Sequence, residues 1–324
     1  MYLGIDVGGT SLKAGLVSEN GHIVAQEHVM VEYGNEDFHH YLAQNMAYLT
    51  KKLLEKNGLT ISDIPYVGAG MPGSVDDENG IFLFAPNMPI HEAPVRKDFQ
   101  EYLDIPLRLG NDANCAALGE YVAGAGKQYN SLVLLTLGTG VGTGIILNDK
   151  MWTGCNGAGA EGGHITLNTN GLQCGCGRKG CLETYASASG LIRLTIDKML
   201  TYKDSGLWAA ADGSLDKVEG STVFKAVRAG DSKAQEVLDD YIDVLAEGIL
   251  DLTNLLQPDV VVIGGGISNA DDDLLLEPLR KRVAGRDMAK YSSPKTKIVK
   301  SSLGSNAGIV GAAFLGAESL KQIS

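Results

Sequence analysis

One pattern occurs twice in this sequence and restricts the fold more than any other. An apolar strand over residues 2–7 runs into Asp6-Val7-Gly8-Gly9-Thr10, and a second apolar segment follows at 13–17. Residues 132–137 run into Gly138-Thr139-Gly140-Val141-Gly142, and a second segment follows at 143–147. A glycine directly after a strand lets backbone N–H groups face an anion with no Cβ in the way, and the hydroxyls of Thr10 and Thr139 add donors. A further β-branched strand at 260–263 ends on Gly264-Gly265-Gly266. One such turn is equally well explained as a tight connection. Three of them, two in equivalent positions of a repeated unit, point to two related lobes and a nucleotide phosphate. Other phosphate sites lack their letters here: no G-x-G-x-x-G opens a helix, no G-x-x-x-x-G-K-[ST] occurs, and the protein-kinase signatures are absent.

Helical periodicity alternates with these strands. Phe38, Tyr41/Leu42, Met46, Leu49 and Leu53 recur at three- and four-residue steps, and Asn57-Gly58 supplies a stop. Asn20-Gly21 marks a hairpin between 13–17 and 22–30, residues 67–71 read as a buried strand, and 76–94 reads as a polar, proline-rich loop. A short helix at 95–103 leads to a strand at 106–109 and an alanine-rich helix at 113–123. Further helices are expected at 186–200, 222–228, 232–256 and 307–321, with a strand at 297–300. Strands alternating with helices predict an α/β fold with a mixed sheet in each lobe. The lobe boundary is expected within 113–126 or just after it.

Charge and cysteine usage narrow the function. The 324 residues carry a net charge of -12, which argues against a nucleic-acid face. It does not exclude ATP, because backbone amides and Mg²⁺ neutralise phosphates without a basic patch. No apolar run approaches the roughly 20 residues of a membrane span, and the sequence opens directly on a strand with no signal-peptide pattern. Three of the five cysteines crowd within eight positions, poor geometry for disulfides, so a reduced, cytoplasmic compartment is expected.

Those three belong to the segment 161–183, EGGHITLNTNGLQCGCGRKGCLE. His164, Cys174, Cys176 and Cys181 form the three-thiolate, one-imidazole set of a closed tetrahedral Zn²⁺ site, structural because it leaves no open position. Glu161 and Glu183 are not needed by that metal. Three reduced thiols and an unrelated histidine are the bland alternative, and the compact spacing disfavours it. Cys115 falls in the alanine-rich helix, where core packing suffices. Asp112, where a strand ends and a helix begins, is the best catalytic candidate. It reads either as an N-cap carboxylate or as a base that the helix dipole keeps ionised. Asp6 is either a strand-end turn residue or a carboxylate holding Mg²⁺ through water.

Taken together, DVGGTSLKAGLV, GNDANCAALGE, LGTGVGTGI, EGGH, CGCGRKGCLE and VVVIGGGI resemble the ROK family of sugar kinases, within the actin-like ATPase (ribonuclease H-like) fold. The resemblance runs from the first strand to the last helix. It implies two lobes, each a mixed sheet flanked by helices, with ATP and sugar meeting in the cleft and a zinc-braced loop. The N-terminal lobe would span 1–121 plus a returning C-terminal helix at about 304–324. The C-terminal lobe would span 122–303, with its zinc segment at 161–183. A homodimer or dimer of dimers is implied, with no nucleic-acid or membrane partner.

By the same resemblance, Asp112 is the general base. Asn87, Asn111, Glu161, His164 and Glu183 hydrogen-bond the sugar. Asp6, Gly8, Gly9, Thr10 and Lys13 form the first phosphate loop, and Gly138, Thr139 and Gly140 the second. Gly264, Gly265 and Gly266 lie on the adenosine side, and His164, Cys174, Cys176 and Cys181 ligate zinc. The implied reaction is ATP- and Mg²⁺-dependent phosphorylation of a hexose, glucose to glucose 6-phosphate in the first place. The run Asn87-Met88-Pro89-Ile90-His91-Glu92 lacks a tryptophan common in family glucokinases, which keeps mannose, allose, fructose and N-acetylhexosamines open. A sugar-responsive ROK regulator is disfavoured, because no helix-turn-helix precedes Asp6.

Overall fold

The computed structural model describes residues 1–34, 37–85 and 88–317. The first sheet opens with a meander of β1 (Tyr2–Val7), β2 (Ser11–Val17) and β3 (Ile23–Met30). β1 then pairs in parallel with β4 (Val67–Met71), and β4 with β8 (Leu107–Asn111), giving the order β3-β2-β1-β4-β8. Between β3 and β4 runs α1 (Phe38–Lys56), whose buried positions include the periodic Phe38, Leu42, Met46, Leu49 and Leu53; Asn57 caps it.

Residues 76–94 depart from the loop expected of them. β5 (Ser74–Asp76), β6 (Ile81–Phe84) and β7 (His91–Ala93) form a small antiparallel sheet. Phe82, completely buried, anchors it to the core. Tertiary burial of one aromatic overrides the polar composition around it. α2 (Val95–Gln100) and α3 (Asp112–Ala123) complete this part, α2 ending three residues earlier than expected.

The second sheet uses β9 (Leu132–Leu137), β10 (Val141–Leu147), β11 (Lys150–Met151), β12 (Val260–Gly264) and β13 (Lys297–Lys300), in the order β11-β10-β9-β12-β13. It is mixed as well, because β10 and β11 are antiparallel while β12 and β13 are parallel. Its helices are α4 (Glu183–Ala186), α5 (Ala188–Thr201), α6 (Leu207–Ala210), α7 (Thr222–Arg228), α8 (Ser232–Leu256) and α9 (Leu276–Val283). Ser187 separates α4 from α5 by capping Gly190. The sequence reading leaves α6 and α9 unassigned; in α9, Pro278 occupies the first turn, where a missing N–H costs nothing.

α10 (Ala307–Ala313) follows, and Phe314 caps it, so the helix expected to reach 321 stops earlier; residues 318–324 lie outside the described ones. The chain divides into two compact units. One holds Met1–Val133, Gly144–Ala160 and the described residues from Ser302 on, and the other holds Leu134–Thr143 and Glu161–Ser301.

Within the first unit, α10 lies against α3 with almost no side chain between them. A Cβ on Gly311 would stand 1.6 Å from the Cys115 carbonyl oxygen, and one on Gly119 would stand 2.2 Å from that of Ala307. Below this crossing Glu120 is fully buried. Its carboxylate accepts from the backbone N–H groups of Ala125 at 2.8 Å, Leu303 at 2.8 Å and Ser302 at 3.2 Å. One charge thereby satisfies donors at the end of α3 and at the turn into α10. Cys115, completely buried beside the crossing, packs as expected.

Gly311→Ala is therefore expected to destabilise the protein by about 2 kcal/mol or more, because backbone rather than a mobile side chain must give way. Urea unfolding checks this, and an unchanged midpoint would contradict the packing.

Candidate functional site

The first unit carries two carboxylates at the ends of β1 and β8, the strands on either side of β4. Asp6 is near the end of β1, opposite Lys13 on β2. Beyond it the turn is closed by Gly8 N–H donating to Ser11 O at 3.0 Å, and Thr10 O accepts from Val31. Gly9 is held by the Tyr33 hydroxyl, which donates to its carbonyl at 2.6 Å. Thr10 and Lys13 are exposed.

Asp112 starts α3, but the cap is its neighbour. The Asn111 side chain accepts from Ala113 N at 2.9 Å and Asn114 N at 3.1 Å, and its amide donates to Gly73 O at 2.9 Å. Asp112 is thus released from the capping role that its position suggested, and only its Oδ1 accepts from Ala113 N, at 2.8 Å.

The electrostatics also differ from the sequence expectation. A helix start should hold Asp112 at a low pKa, yet burial raises it, against the pull of the Ala113 N–H and Asn111. The side chain is nonetheless exposed to water. The two facts agree if the carboxylate sits at the floor of a recess, reached by solvent but surrounded by protein. Asp6 is shifted further, from 3.8 to about 6, first by burial and then by the charge of Asp112; Lys13 opposes this weakly. Two buried carboxylates with raised proton affinity, one of them raised further by the charge of the other, are a natural receptor for a divalent cation or a transferable proton.

In the second unit the β9–β10 turn is fixed from below. Gly138 O accepts from Ala188 N at 2.8 Å, and Thr139 O accepts from Ser189 Oγ at 2.8 Å, so the turn rests on the start of α5. Gly138 itself faces open space, and a Cβ on Gly140 would strike Glu183 Oε2 at 2.2 Å.

Beside the turn lies a cavity of about 530 Å³, lined by Gly138, Thr139, Phe224, Ile267, Leu274 and Gly266 among others. Its size and apolar walls suit a planar base. Of Gly264, Gly265 and Gly266, only Gly266 lines it. Gly265, at φ 81°, lets β12 meet the Leu137 backbone, where a Cβ would stand 2.5 Å from nitrogen. Phe224 comes from α7, a helix legible in the sequence, but nothing in its letters marks it as a cavity wall. Arg228, at the rim, is held by Asp271 and Asp273 at 2.8 Å each.

The segment 161–183 brings its polar residues to one place. One ligand atom from each of His164, Cys174, Cys176 and Cys181 lies within 4.8 Å of the other three. Cys176 and Cys181 sulfurs are 3.7 Å apart, and Cys174 Sγ is 3.7 Å from His164 Nδ1. Thiolates about 2.3 Å from a tetrahedral ion lie about 3.8 Å from one another, so the four residues fit Zn²⁺ in both chemistry and size. Burial pushes the Cys174 thiol up to about 12, a cost that a cation would remove.

The other ring nitrogen of His164, Nε2, lies 3.9 Å from Glu161 Oε2. Glu183 Oε2 accepts from Val141 N at 3.0 Å, and its Oε1 lies 3.7 Å from Cys174 Sγ. Arg178, which sequence reasoning passed over, donates to His164 O at 3.2 Å and Thr166 Oγ1 at 2.7 Å, closing the loop around the cysteines. Asn87 lies outside the described residues.

Known proteins resemble this chain along almost its whole length. The ROK family model matches residues 2–319. A glucokinase of Thermotoga maritima is 38% identical over 319 residues, covering 97% of this chain and 96% of that protein. An N-acetyl-D-glucosamine kinase of Vibrio atlanticus is 33% identical, covering 97% and 99%. The crystal structure of a ROK family glucokinase from Streptomyces griseus, in complex with glucose and AMPPNP, superposes with a TM-score of 0.81 at 34% identity, covering 97% of this chain and 98% of that one.

The Asp6 shift predicts a pH effect on stability. A carboxyl whose folded pKa is raised stabilises the fold at low pH, and that contribution is lost as pH rises through about 6. Without nucleotide or metal, Asp6→Asn should therefore be more stable than the parent at pH 8, by up to roughly 3 kcal/mol. The gain should shrink toward pH 5. Urea unfolding across that range checks it, and a pH-independent difference would contradict the assignment.

Proposed function

Because this chain belongs to the ROK family, we propose that it is an ATP-dependent sugar kinase that converts glucose to glucose 6-phosphate. The observation that carries this reading is its full-length likeness to glucokinases, one of them solved with glucose and AMPPNP. Kinases for another hexose are the second reading, favoured by the likeness to an N-acetyl-D-glucosamine kinase. A DNA-binding regulator is disfavoured by the net charge of -12.

Phosphoryl transfer needs positioning, charge neutralisation and an aligned nucleophile more than covalent chemistry. In this proposal Asp112 accepts the proton of the sugar 6-hydroxyl as it attacks the γ-phosphate. Its raised pKa makes it a stronger base than an ordinary aspartate. Asn87, Asn111, Glu161, His164 and Glu183 hydrogen-bond the sugar. Gly8, Gly9, Thr10 and Lys13, with Gly138, Thr139 and Gly140, hold the phosphates. The apolar cavity beside Gly266 takes the adenine. Mg²⁺ bound with the triphosphate would supply positive charge, and Asp6 would hold it through water.

A zinc ion on His164, Cys174, Cys176 and Cys181 would brace the loop that carries Glu161 and Glu183. With Nδ1 toward the metal, His164 keeps Nε2 for a sugar hydroxyl. The enzyme is further proposed to act in the cytoplasm as a homodimer or dimer of dimers. Five unpaired cysteines support the reduced compartment, and no helix among the described residues is long and apolar enough to cross a membrane.

An ADP-release assay over a sugar panel tests activity and substrate together; glucose should give the highest kcat/KM. Asp112→Asn should lower kcat by about 10²–10⁴ with little change in glucose affinity. Near-normal turnover in that variant would refute the base. Elemental analysis should find one zinc per chain fewer in Cys176→Ser than in the parent, with glucose affinity lost in that variant. A reduced, active preparation free of zinc would overturn the brace.

A further inference from the structure

Away from the proposed sugar and nucleotide residues, the start of α1 and the adjoining α2 bring together two imidazoles and three carboxylates. Asp37 is the N-cap of α1, its Oδ1 accepting from His40 N at 3.4 Å, and His39 and His40 follow in the first turn. From α2 and its cap come Asp98, which is buried, and Glu101.

Each imidazole has one nitrogen on an α2 carboxylate. His39 Nδ1 is 2.6 Å from Asp98 Oδ2, and His40 Nε2 is 3.1 Å from Glu101 Oε2. Donation at those two atoms fixes both tautomers and leaves lone pairs on His39 Nε2 and His40 Nδ1. His39 Nε2 lies 3.1 Å from Asp37 Oδ1. His40 Nδ1 lies 3.6 Å from Asp37 Oδ2 and 3.7 Å from Asp98 Oδ1, too far for hydrogen bonds.

His40 Nδ1 is also shut off from water and has no hydrogen-bond partner among the described residues. A pair of protonated histidines ion-paired to the carboxylates is the simplest alternative. At this atom it would leave an Nδ1–H without a hydrogen-bond acceptor, although Glu101, Asp98 and Asp37 raise the His40 pKa, so a cation in place of that proton accounts for the same carboxylates. Asp37, His39 and His40 can each offer one ligand atom within 4.8 Å of the others.

We propose that Asp37, His39 and His40 bind a divalent transition-metal ion, with Asp98 and Glu101 orienting the two histidines from behind. Two imidazoles and one carboxylate select a borderline ion such as Zn²⁺, Co²⁺ or Ni²⁺ over Mg²⁺ or Ca²⁺. A carboxylate on the far nitrogen of each ligating histidine is the outer-shell arrangement such sites use. Asp37 is exposed, so water completes the coordination. The ion would tie the first turn of α1 and, through Asp98 and Glu101, α2.

Equilibrium dialysis of the full chain against Zn²⁺ tests this as a difference between variants, independent of what the cysteine cluster holds. The parent should bind one more zinc per chain than His39→Ala/His40→Ala, and zinc should raise the thermal midpoint of the parent by more than that of the double variant. Asp37→Asn removes the carboxylate ligand while asparagine keeps the helix cap. It should weaken zinc at this site about tenfold or more, and it serves if the double variant fails to fold. Co²⁺ bound here should lack thiolate-to-metal charge-transfer absorption, unlike Co²⁺ on Cys174, Cys176 and Cys181. Equal zinc content in the parent and both variants, or cobalt bound only with thiolate absorption, would overturn the site.

Discussion

The approach of α10 to α3 is the contact on which the first unit depends. Two helices meeting at carbonyl distance exclude side chains at Gly119 and Gly311, and glycine at those points is the price of the contact. The return is rigidity where the chemistry needs it. α3 begins at Asp112, and α10 also places Gly308 beside the Asp6 carboxylate, where a Cβ would stand 3.0 Å from Oδ1. Glu120 locks the far end of the crossing through three backbone N–H groups, with the Ser302 hydroxyl as a further donor, so most of the anchoring rests on backbone. The C-terminal helix therefore helps to set the surroundings of residues near the other end of the chain.

The second unit solves a different problem. A glycine-rich turn that must face an anion cannot be stiffened by its own side chains. Gly138 and Thr139 are held instead through their carbonyls by α5, and Gly140 is backed by Glu183. Glu183 in turn belongs to the segment closed by three cysteines and a histidine. The loop proposed to grip phosphate and the loop proposed to read the sugar share one carboxylate, so displacement of either would be felt by the other.

Burial of charge is the cost of this arrangement. Asp6 and Asp112 both hold their protons more tightly than free carboxylates, chiefly through burial, and the charge of Asp112 raises Asp6 further. A protein that retains such a pair spends stability at neutral pH, which fits residues kept for binding a cation and accepting a proton.

Much of this was determined by the sequence alone. The repeated strand–turn–strand unit, the periodic face of α1, the spacing of His164, Cys174, Cys176 and Cys181, and the strand-to-helix position of Asp112 are local patterns, and local periodicity is legible in contiguous letters. Tertiary structure decided the rest. It moved the helix cap from Asp112 to Asn111, buried Phe82 to make a sheet of an apparent loop, and brought Phe224, Ile267 and Leu274 around one cavity. It also set Asp98 and Glu101 behind His39 and His40. The Asn111 cap itself spans three residues, its distant tie being the Gly73 carbonyl, and the physical reason for that tie is the one behind the other three. Desolvation, steric approach and the pairing of distant polar atoms depend on groups far apart in the chain, and no window of sequence contains both partners.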